Sequence, residues 1–147
     1  MRKSACVSLL ALSLVVSILA AGPASAKSVD GLRAQIPFDF HVGDRVIPAG
    51  DYVVSAMTDD EKTLRIRAAG GGESAATLTS PKLAKSGSES APRLVFHRYG
   101  DQYFLSAVWG DGETGRALPE SKQERSLRRE LRVARDARVQ TVTIAAR

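Results

Sequence analysis

Cysteine is almost missing from this chain, which has a single one, Cys6, among 147 residues. Because Cys6 lies in an N-terminal segment that we expect to be removed, the mature protein has none. Disulfide bonds, thiol catalysis and thiolate metal ligands are therefore excluded for the mature protein, and its fold must be stabilised by packing alone.

Histidine is also scarce, and the common metal and nucleotide motifs are missing. The two histidines, His41 and His97, lack the spacing of a metal site. Residues 111–113 lack the alternating acidic residues of a calcium loop. The triple glycine at 70–72 is not followed by the Gly-Lys-Ser/Thr of a phosphate-binding loop. We therefore expect no metal ion and no cofactor.

After residue 26 no apolar run is long enough to span a membrane, but the first 26 residues are typical of a secretory signal peptide. Arg2 and Lys3 precede an almost wholly apolar run, Ala5 to Ala21, and the small residues 24–26 offer a cleavage site. A membrane anchor is the alternative, although the run is at or below the ~18 residues that a span needs. Since no cysteine follows the run, we expect no lipid attachment. The sequence predicts export of a soluble chain, residues 27–147.

Period-two alternation of apolar residues indicates β-strands in the first half of the mature chain. Residues 32–40 place five apolar side chains on one face, as a half-buried strand does. Residues 52–57 and 64–68 are predicted to form a hairpin around a polar turn at 59–62. Small and polar residues dominate 69–92, which we interpret as a flexible connection with at most a short strand.

One helix is predicted over residues 120–136. Ser121 can cap it and Glu124 completes a capping box. Leu127 and Leu131 begin a narrow apolar stripe, and Glu124 is expected to pair with Arg128 one turn later. Residues 139–144, rich in β-branched side chains, predict a last strand.

The segment Leu94–Trp109, LVFHRYGDQYFLSAVW, contains the side chains that most resemble a reaction centre. A two-residue turn with Gly100 at its first central position would place Tyr99 opposite Gln102 and Arg98 opposite Tyr103, in position to stack. His97 would then lie opposite Phe104. The predicted core face comprises Leu94, Phe96, Arg98, Tyr103, Leu105, Ala107 and Trp109.

Two catalytic arrangements can be considered for this hairpin, and neither has all its parts. Asp101 lies at the tip of the turn, too far along to pair with His97. Ser106 shares a face with His97, but the segment supplies no orienting acid and no oxyanion hole. We therefore predict a structural hairpin and no enzyme, and keep a hydrolase using Ser106 and His97 as an alternative.

Basic charge is concentrated in residues 116–138, which hold eight arginines and lysines against four acidic residues. The helix can present these side chains to an anionic partner such as membrane headgroups or a cell-envelope polymer. The alternative is a solvated face partly neutralised by Glu124, Glu130 and Asp136. Nucleic acid is not expected as a partner of an exported protein. The candidate contact residues are Arg125, Arg128, Arg129, Arg132 and Arg135.

Three segments resemble a group of small uncharacterised secreted bacterial proteins found in Acidobacteria-like genomes. Residues 37–40 match its Pro-Phe-x-Phe strand, and 47–52 match its Leu-Pro-Ala-Gly-x-Tyr turn, with Ile47 in place of leucine. Residues 96–105 match its Phe-x-Arg-Tyr-Gly-Asp-x-Tyr-Phe-Leu hairpin. The resemblance implies one exported β-rich domain and brings no catalytic residue and no ligand.

Together these patterns predict one domain, residues 27–147: a mainly β fold, an antiparallel barrel or sandwich of about seven or eight strands with one helix near the C-terminus. The function hypothesis is a non-enzymatic exported protein, periplasmic or extracellular, with a binding or structural role in the envelope. One alternative is a carrier that holds a small apolar ligand inside a β-barrel; the other is the Ser106/His97 hydrolase.

Overall fold

The structure, a computed structural model, describes residues 31–72, 74–80, 82–84, 91–110, 114–134 and 139–147. The predicted signal peptide lies outside the described residues. In chain order the strands are β1 Leu32–Ile36, β2 Phe40–Val42, β3 Arg45–Ile47, β4 Gly50–Ala56, β5 Thr63–Ala68, β6 Ser74–Leu78, β7 Lys82–Ala84, β8 Arg93–Tyr99, β9 Gln102–Trp109, β10 Thr114–Ala117 and β11 Gln140–Ala145, and the helix α1 is Lys122–Ala134.

The strands form two sheets that face each other like the layers of a sandwich. The first sheet has four strands in the order β1-β4-β5-β6, all antiparallel. The second has seven, with β11-β8-β9-β10-β7 in one path and β2 joined to β3 and, by one parallel pair, to β9. A mainly β fold with one helix near the C-terminus is thus confirmed.

The finer predictions of the fold need correction. Within the described residues the two sheets do not close into a barrel, so the sandwich is the predicted architecture that fits. There are more strands than the predicted seven or eight, because β2, β3 and β7 have only three residues each and such short strands show no alternation. The predicted connection at 69–92 contains both β6 and β7.

Apolar side chains from both sheets fill the space between them. In β1 the burial alternates strictly, with Leu32, Ala34 and Ile36 facing inward, as the sequence pattern predicts. Each large apolar side chain that is fully buried contributes about 1.5–3 kcal/mol relative to exposure. The largest of them in this core are Phe40, Phe96, Ile36, Ile47, Leu64, Ile66, Leu94, Val54 and Val108.

The hairpin of β8 and β9 has the predicted register around its turn. Gly100 adopts a φ of 60°, Tyr99 lies opposite Gln102, and Arg98 lies opposite Tyr103. The Arg98 guanidinium carbon is 5.5 Å from the centre of the Tyr103 ring, which confirms the predicted stacking. Phe38 stacks on the same ring, with 3.8 Å between ring centres.

A β-bulge in β9 exchanges the inward and outward positions of the residues after Ser106. The register shifts between Val95 and Phe96, and the hydroxyl of Ser106 donates a hydrogen bond of 3.0 Å to the Val95 carbonyl. An extra residue in one strand exchanges inward and outward positions for the residues that follow. Val108 is therefore in the core, and the prediction that Ala107 and Trp109 lie on the core face is wrong.

A buried ion pair connects the two sheets. Glu61, in the turn between β4 and β5, accepts a 3.2 Å hydrogen bond from Arg116 of β10, and both side chains are buried. Arg116 also donates to the carbonyl of Asp60. Hydrogen bonds from Lys62 and Thr58 hold the pKa of the Asp60 carboxyl well below its usual range. The turn is thus held by the ion pair at Glu61 and by the hydrogen bonds at Asp60.

Trp109 requires a glycine on the neighbouring strand. Its indole lies next to Gly115 of β10, its partner in the register, while the Arg93 guanidinium is 4.9 Å from the ring centre. A Cβ atom built on Gly115 would lie 2.5 Å from Cδ2 of Trp109. Such an approach is far inside van der Waals contact, so the ring or the strand would have to move.

We therefore expect Gly115→Ala to lower the free energy of unfolding by about 1–3 kcal/mol, the usual cost of overpacking. Gly70→Ala is the matched control, because its added Cβ would meet nothing within 4 Å, and its stability should be almost unchanged. Urea denaturation of the two variants measures both values. Equal stability of both variants would contradict the packing described for Trp109.

Candidate functional site

Helix α1 begins as the sequence predicts, but the side chain of Glu124 does not complete the capping box. The backbone N–H of Glu124 donates a 3.1 Å hydrogen bond to the hydroxyl of Ser121, which confirms Ser121 as the N-cap. In a capping box the glutamate side chain would return to the backbone of the cap residue. Here it turns toward the second sheet and is only 3% exposed.

Two side chains of β8 meet the carboxylate of Glu124. Its Oε1 atom is 2.8 Å from Nδ1 of His97 and accepts a 3.2 Å hydrogen bond from the hydroxyl of Tyr99. Burial, together with the negative charge of Glu124, raises the pKa of Tyr99 to about 12. When His97 is protonated, its contact with Glu124 is an ion pair. These contacts anchor the helix on the outer face of the second sheet.

His41, from β2, completes what we call the Glu124 cluster: Glu124, His97, Tyr99 and His41. The His41 ring stacks on Phe104 with 4.4 Å between ring centres, and its Nδ1 is buried without a hydrogen-bond partner. Burial lowers the pKa of His41 below its ordinary 6.5, although the negative charge of Glu124 acts in the opposite direction. Glu124, His97 and Tyr99 are thus in direct contact, and the His41 ring is connected to them through Phe104, against which Tyr99 also packs.

The structure does not bring Ser106 and His97 together. Ser106 donates to the Val95 carbonyl, and the Nδ1 atom of His97 is occupied by Glu124. His97 does have the acidic partner that the hairpin alone could not supply, and its side chain is 34% exposed. Among the described residues, no three side chains of His, Cys, Asp or Glu form a group that would hold a metal ion.

The predicted arginine face is split by the way the helix docks. Arg125, Arg129 and Arg132 are exposed, whereas Arg128 is half-buried and pairs with Glu120 at 3.0 Å. The predicted pair between Glu124 and Arg128 is wrong, because Glu124 points into the sheet. Arg135 lies outside the described residues. Leu127 and Leu131 are half-buried, as the predicted apolar stripe requires.

The larger of two described cavities lies outside the core. It measures about 480 Å³ and opens where β1 meets the residues after β11. Its lining combines polar side chains, including Arg33, Gln35 and Asp51, with several alanines and Tyr52. It is therefore unlike the apolar interior that a lipid carrier needs.

Comparisons of the chain with protein-family models, with curated proteins and with solved structures give no match. In the described part of the chain, no helix combines the length and the apolar character needed to cross a membrane.

We expect the stability of the protein to fall on acidification in part through His41. Because the folded protein holds this imidazole neutral, the unfolded chain binds the proton more tightly. The stabilising contribution is complete above about pH 6.5 and is lost as the pH falls through the lower pKa of the folded state.

His41→Phe keeps an aromatic ring on Phe104 but cannot be protonated. Between about pH 7 and about pH 5 its free energy of unfolding should therefore fall less than that of the wild type, as urea denaturation would measure. Both proteins retain His97 and Glu124, so their difference isolates His41. Parallel pH profiles would show that His41 is not held neutral.

Proposed function

We propose that this chain is an exported, non-enzymatic β-domain protein of the cell envelope, and that it binds an anionic membrane surface through helix α1. One observation carries the proposal. Three exposed arginines occupy a helix that Glu124 fixes to the sheet. The charge is thus presented on a rigid support rather than on a mobile segment.

The arginines share one side of the helix. Arg125, Arg129 and Arg132 are spaced at i, i+4 and i+7, which places them along one stripe. Planar guanidinium groups match the oxygen geometry of phosphates and carboxylates. The stripe is therefore suited to phosphate-bearing headgroups.

The docking of the helix also leaves this stripe less neutralised than the sequence suggests. Glu124 is nine-tenths buried or more and is engaged by His97 and Tyr99, so it does not offset the exposed arginines. Glu120 is already paired with Arg128. Since Leu127 and Leu131 face the sheet, contact with a membrane would be electrostatic and would not involve insertion.

Export is supported by the composition of residues 1–26 and by the resemblance to secreted bacterial proteins. The basic start, apolar run and small-residue site are what a signal peptidase substrate requires. The carrier hypothesis has less support, because the interior between the sheets is filled by buried side chains. The hydrolase hypothesis has less support because Ser106 and His97 have separate partners.

The protein purified after export should co-sediment with phosphatidylglycerol vesicles at low ionic strength and should be released by salt. Replacing Arg125, Arg129 and Arg132 with glutamine should weaken this binding by about 100-fold, at about 1 kcal/mol per arginine. Neutral phosphatidylcholine vesicles should not bind the protein.

The matched control makes the same charge change on the first sheet, with glutamine at Arg33, Arg65 and Arg67. This control should keep its vesicle binding, since net charge alone is not the cause we infer. A wild-type protein that ignores anionic vesicles at low salt, or that binds only a soluble acidic polymer through α1, would refute the proposal.

A further inference from the structure

The outer face of the first sheet carries a second group of arginines. The backbones of Arg33 and Arg147 exchange two hydrogen bonds, of 2.7 and 2.9 Å, so their side chains leave the same face. In the register of the sheet, Arg33 lies opposite Val53 and Val53 lies opposite Arg67. Arg147, Arg33, Val53 and Arg67 therefore follow one line across the strands.

Arg65 lies two residues from Arg67 on the same strand and shares its face. We call Arg33, Arg65, Arg67 and Arg147 the arginine row. All four are exposed, while their neighbours along the strands, such as Leu32 and Ile66, are in the core. The row thus belongs to the side of the sandwich opposite to helix α1, which packs on the outer face of the second sheet.

The charge of the arginine row is nearly uncompensated. No hydrogen bond or ion pair joins its four guanidinium groups to other side chains in the part of the chain that the structure describes. The register places one acidic residue on this face, Asp51, opposite Gln35. The remaining outward positions of β4 and β6 hold neutral residues such as Ser55 and Ser74.

The arrangement of the row is linear. Neighbouring strands are about 4.8 Å apart, so Arg147 and Arg33 are one strand spacing apart and Arg33 and Arg67 are two. The line formed by Arg147, Arg33 and Arg67, with Arg65 beside it, can bind successive carboxylates of one extended chain, each through paired N–H donors. A single small anion would engage only one end of it.

The neighbours of the row favour a sugar polymer over other polyanions. The described strands β1, β4, β5 and β6 place no aromatic side chain on this face to stack on nucleobases. Val53 is half-buried within the row, and the exposed Met57 and Leu78 lie at the other end of the strands, so no cluster of exposed apolar side chains surrounds the row as it would on a membrane-binding surface. The 480 Å³ cavity lies beside Arg33 of β1, and its lining includes Gln35 and Asp51. The amide and the carboxylate of these two residues can hydrogen-bond to the hydroxyl groups of a sugar.

We propose that the arginine row is a binding surface for an acidic polysaccharide whose uronate carboxylates pair with Arg147, Arg33 and Arg67 in turn. The polymer lies across the strands of the first sheet, with its end in the cavity beside β1. This surface is independent of helix α1, and it stands whether or not the helix binds a membrane.

Titration with polygalacturonate at low ionic strength, followed by calorimetry, tests this surface on the protein purified after export. Glutamine at Arg33, Arg65 and Arg67 should reduce the affinity by about tenfold or more. These side chains are exposed and have no ion pair with any described residue, so the variant should fold, and its circular dichroism and melting temperature verify this. Fully methyl-esterified polygalacturonate, which has the same backbone without charge, should not bind.

The helix variant with glutamine at Arg125, Arg129 and Arg132 has the same net charge and should keep most of its polygalacturonate affinity. An equal loss of polygalacturonate affinity in both variants would show that net charge alone determines the binding, and it would overturn the proposal. So would absence of binding by the wild type, or a sheet variant that loses vesicle binding instead of polymer binding. Failure of vesicle binding alone would affect only the role proposed for α1.

Discussion

The contact of Glu124 with His97 and Tyr99 is the interaction on which the outer architecture depends. A helix with so narrow an apolar stripe has little area to bury, and most helical stability in proteins comes from such packing. A buried carboxylate that accepts hydrogen bonds from two side chains compensates for this, because hydrogen bonds to charged groups are stronger than neutral ones. It also removes one acidic residue from the solvent-exposed charge of the helix.

A second buried carboxylate has a similar role elsewhere in the fold. Glu61 is held by Arg116 between the two sheets, just as Glu124 is held between helix and sheet. Both acids are therefore engaged inside the structure, and exposed arginines remain on both outer faces of the sandwich. The net charge of the whole chain is only +5. This value does not show that these two acidic side chains are buried while the arginines are exposed. Both binding surfaces that we propose depend on this separation of buried acids from exposed arginines.

Much of the fold could be predicted from local patterns, and the failures have identifiable causes. Alternation predicted a strand over residues 32–40, of which β1 occupies Leu32–Ile36 and β2 begins at Phe40. Gly100 predicted the hairpin register because a two-residue turn fixes which residues face each other. The bulge at Ser106 could not be predicted, because the Ser106 side chain hydrogen-bonds to the Val95 carbonyl there. The hydrophobic periodicity of the sequence does not indicate such a bond. In β9 the face assignments after Ser106 were reversed, so Trp109 lies on the outer surface, whereas Leu94 on β8 is in the core as predicted.

The candidate site shows a different limit of sequence reasoning. In the sequence, Glu124 fits three roles equally well. Its side chain could complete the capping box, pair with Arg128, or contact a different element of the fold. Only the packing of α1 on β8 decides among them, through His97 and Tyr99, which lie more than twenty residues away in the chain. A signal was present, because the predicted register placed His97 and Tyr99 together on the hairpin face opposite to the predicted core face.

A pair of double-mutant cycles tests the account of Glu124 most directly. The cycle of Glu124→Gln with Tyr99→Phe should give a coupling energy of about 0.5–3 kcal/mol in the free energy of unfolding. The cycle of Glu124→Gln with Arg128→Gln should be additive, since Arg128 pairs with Glu120. Coupling to Arg128 and additivity with Tyr99 would contradict the structure and would return Glu124 to the surface of the helix.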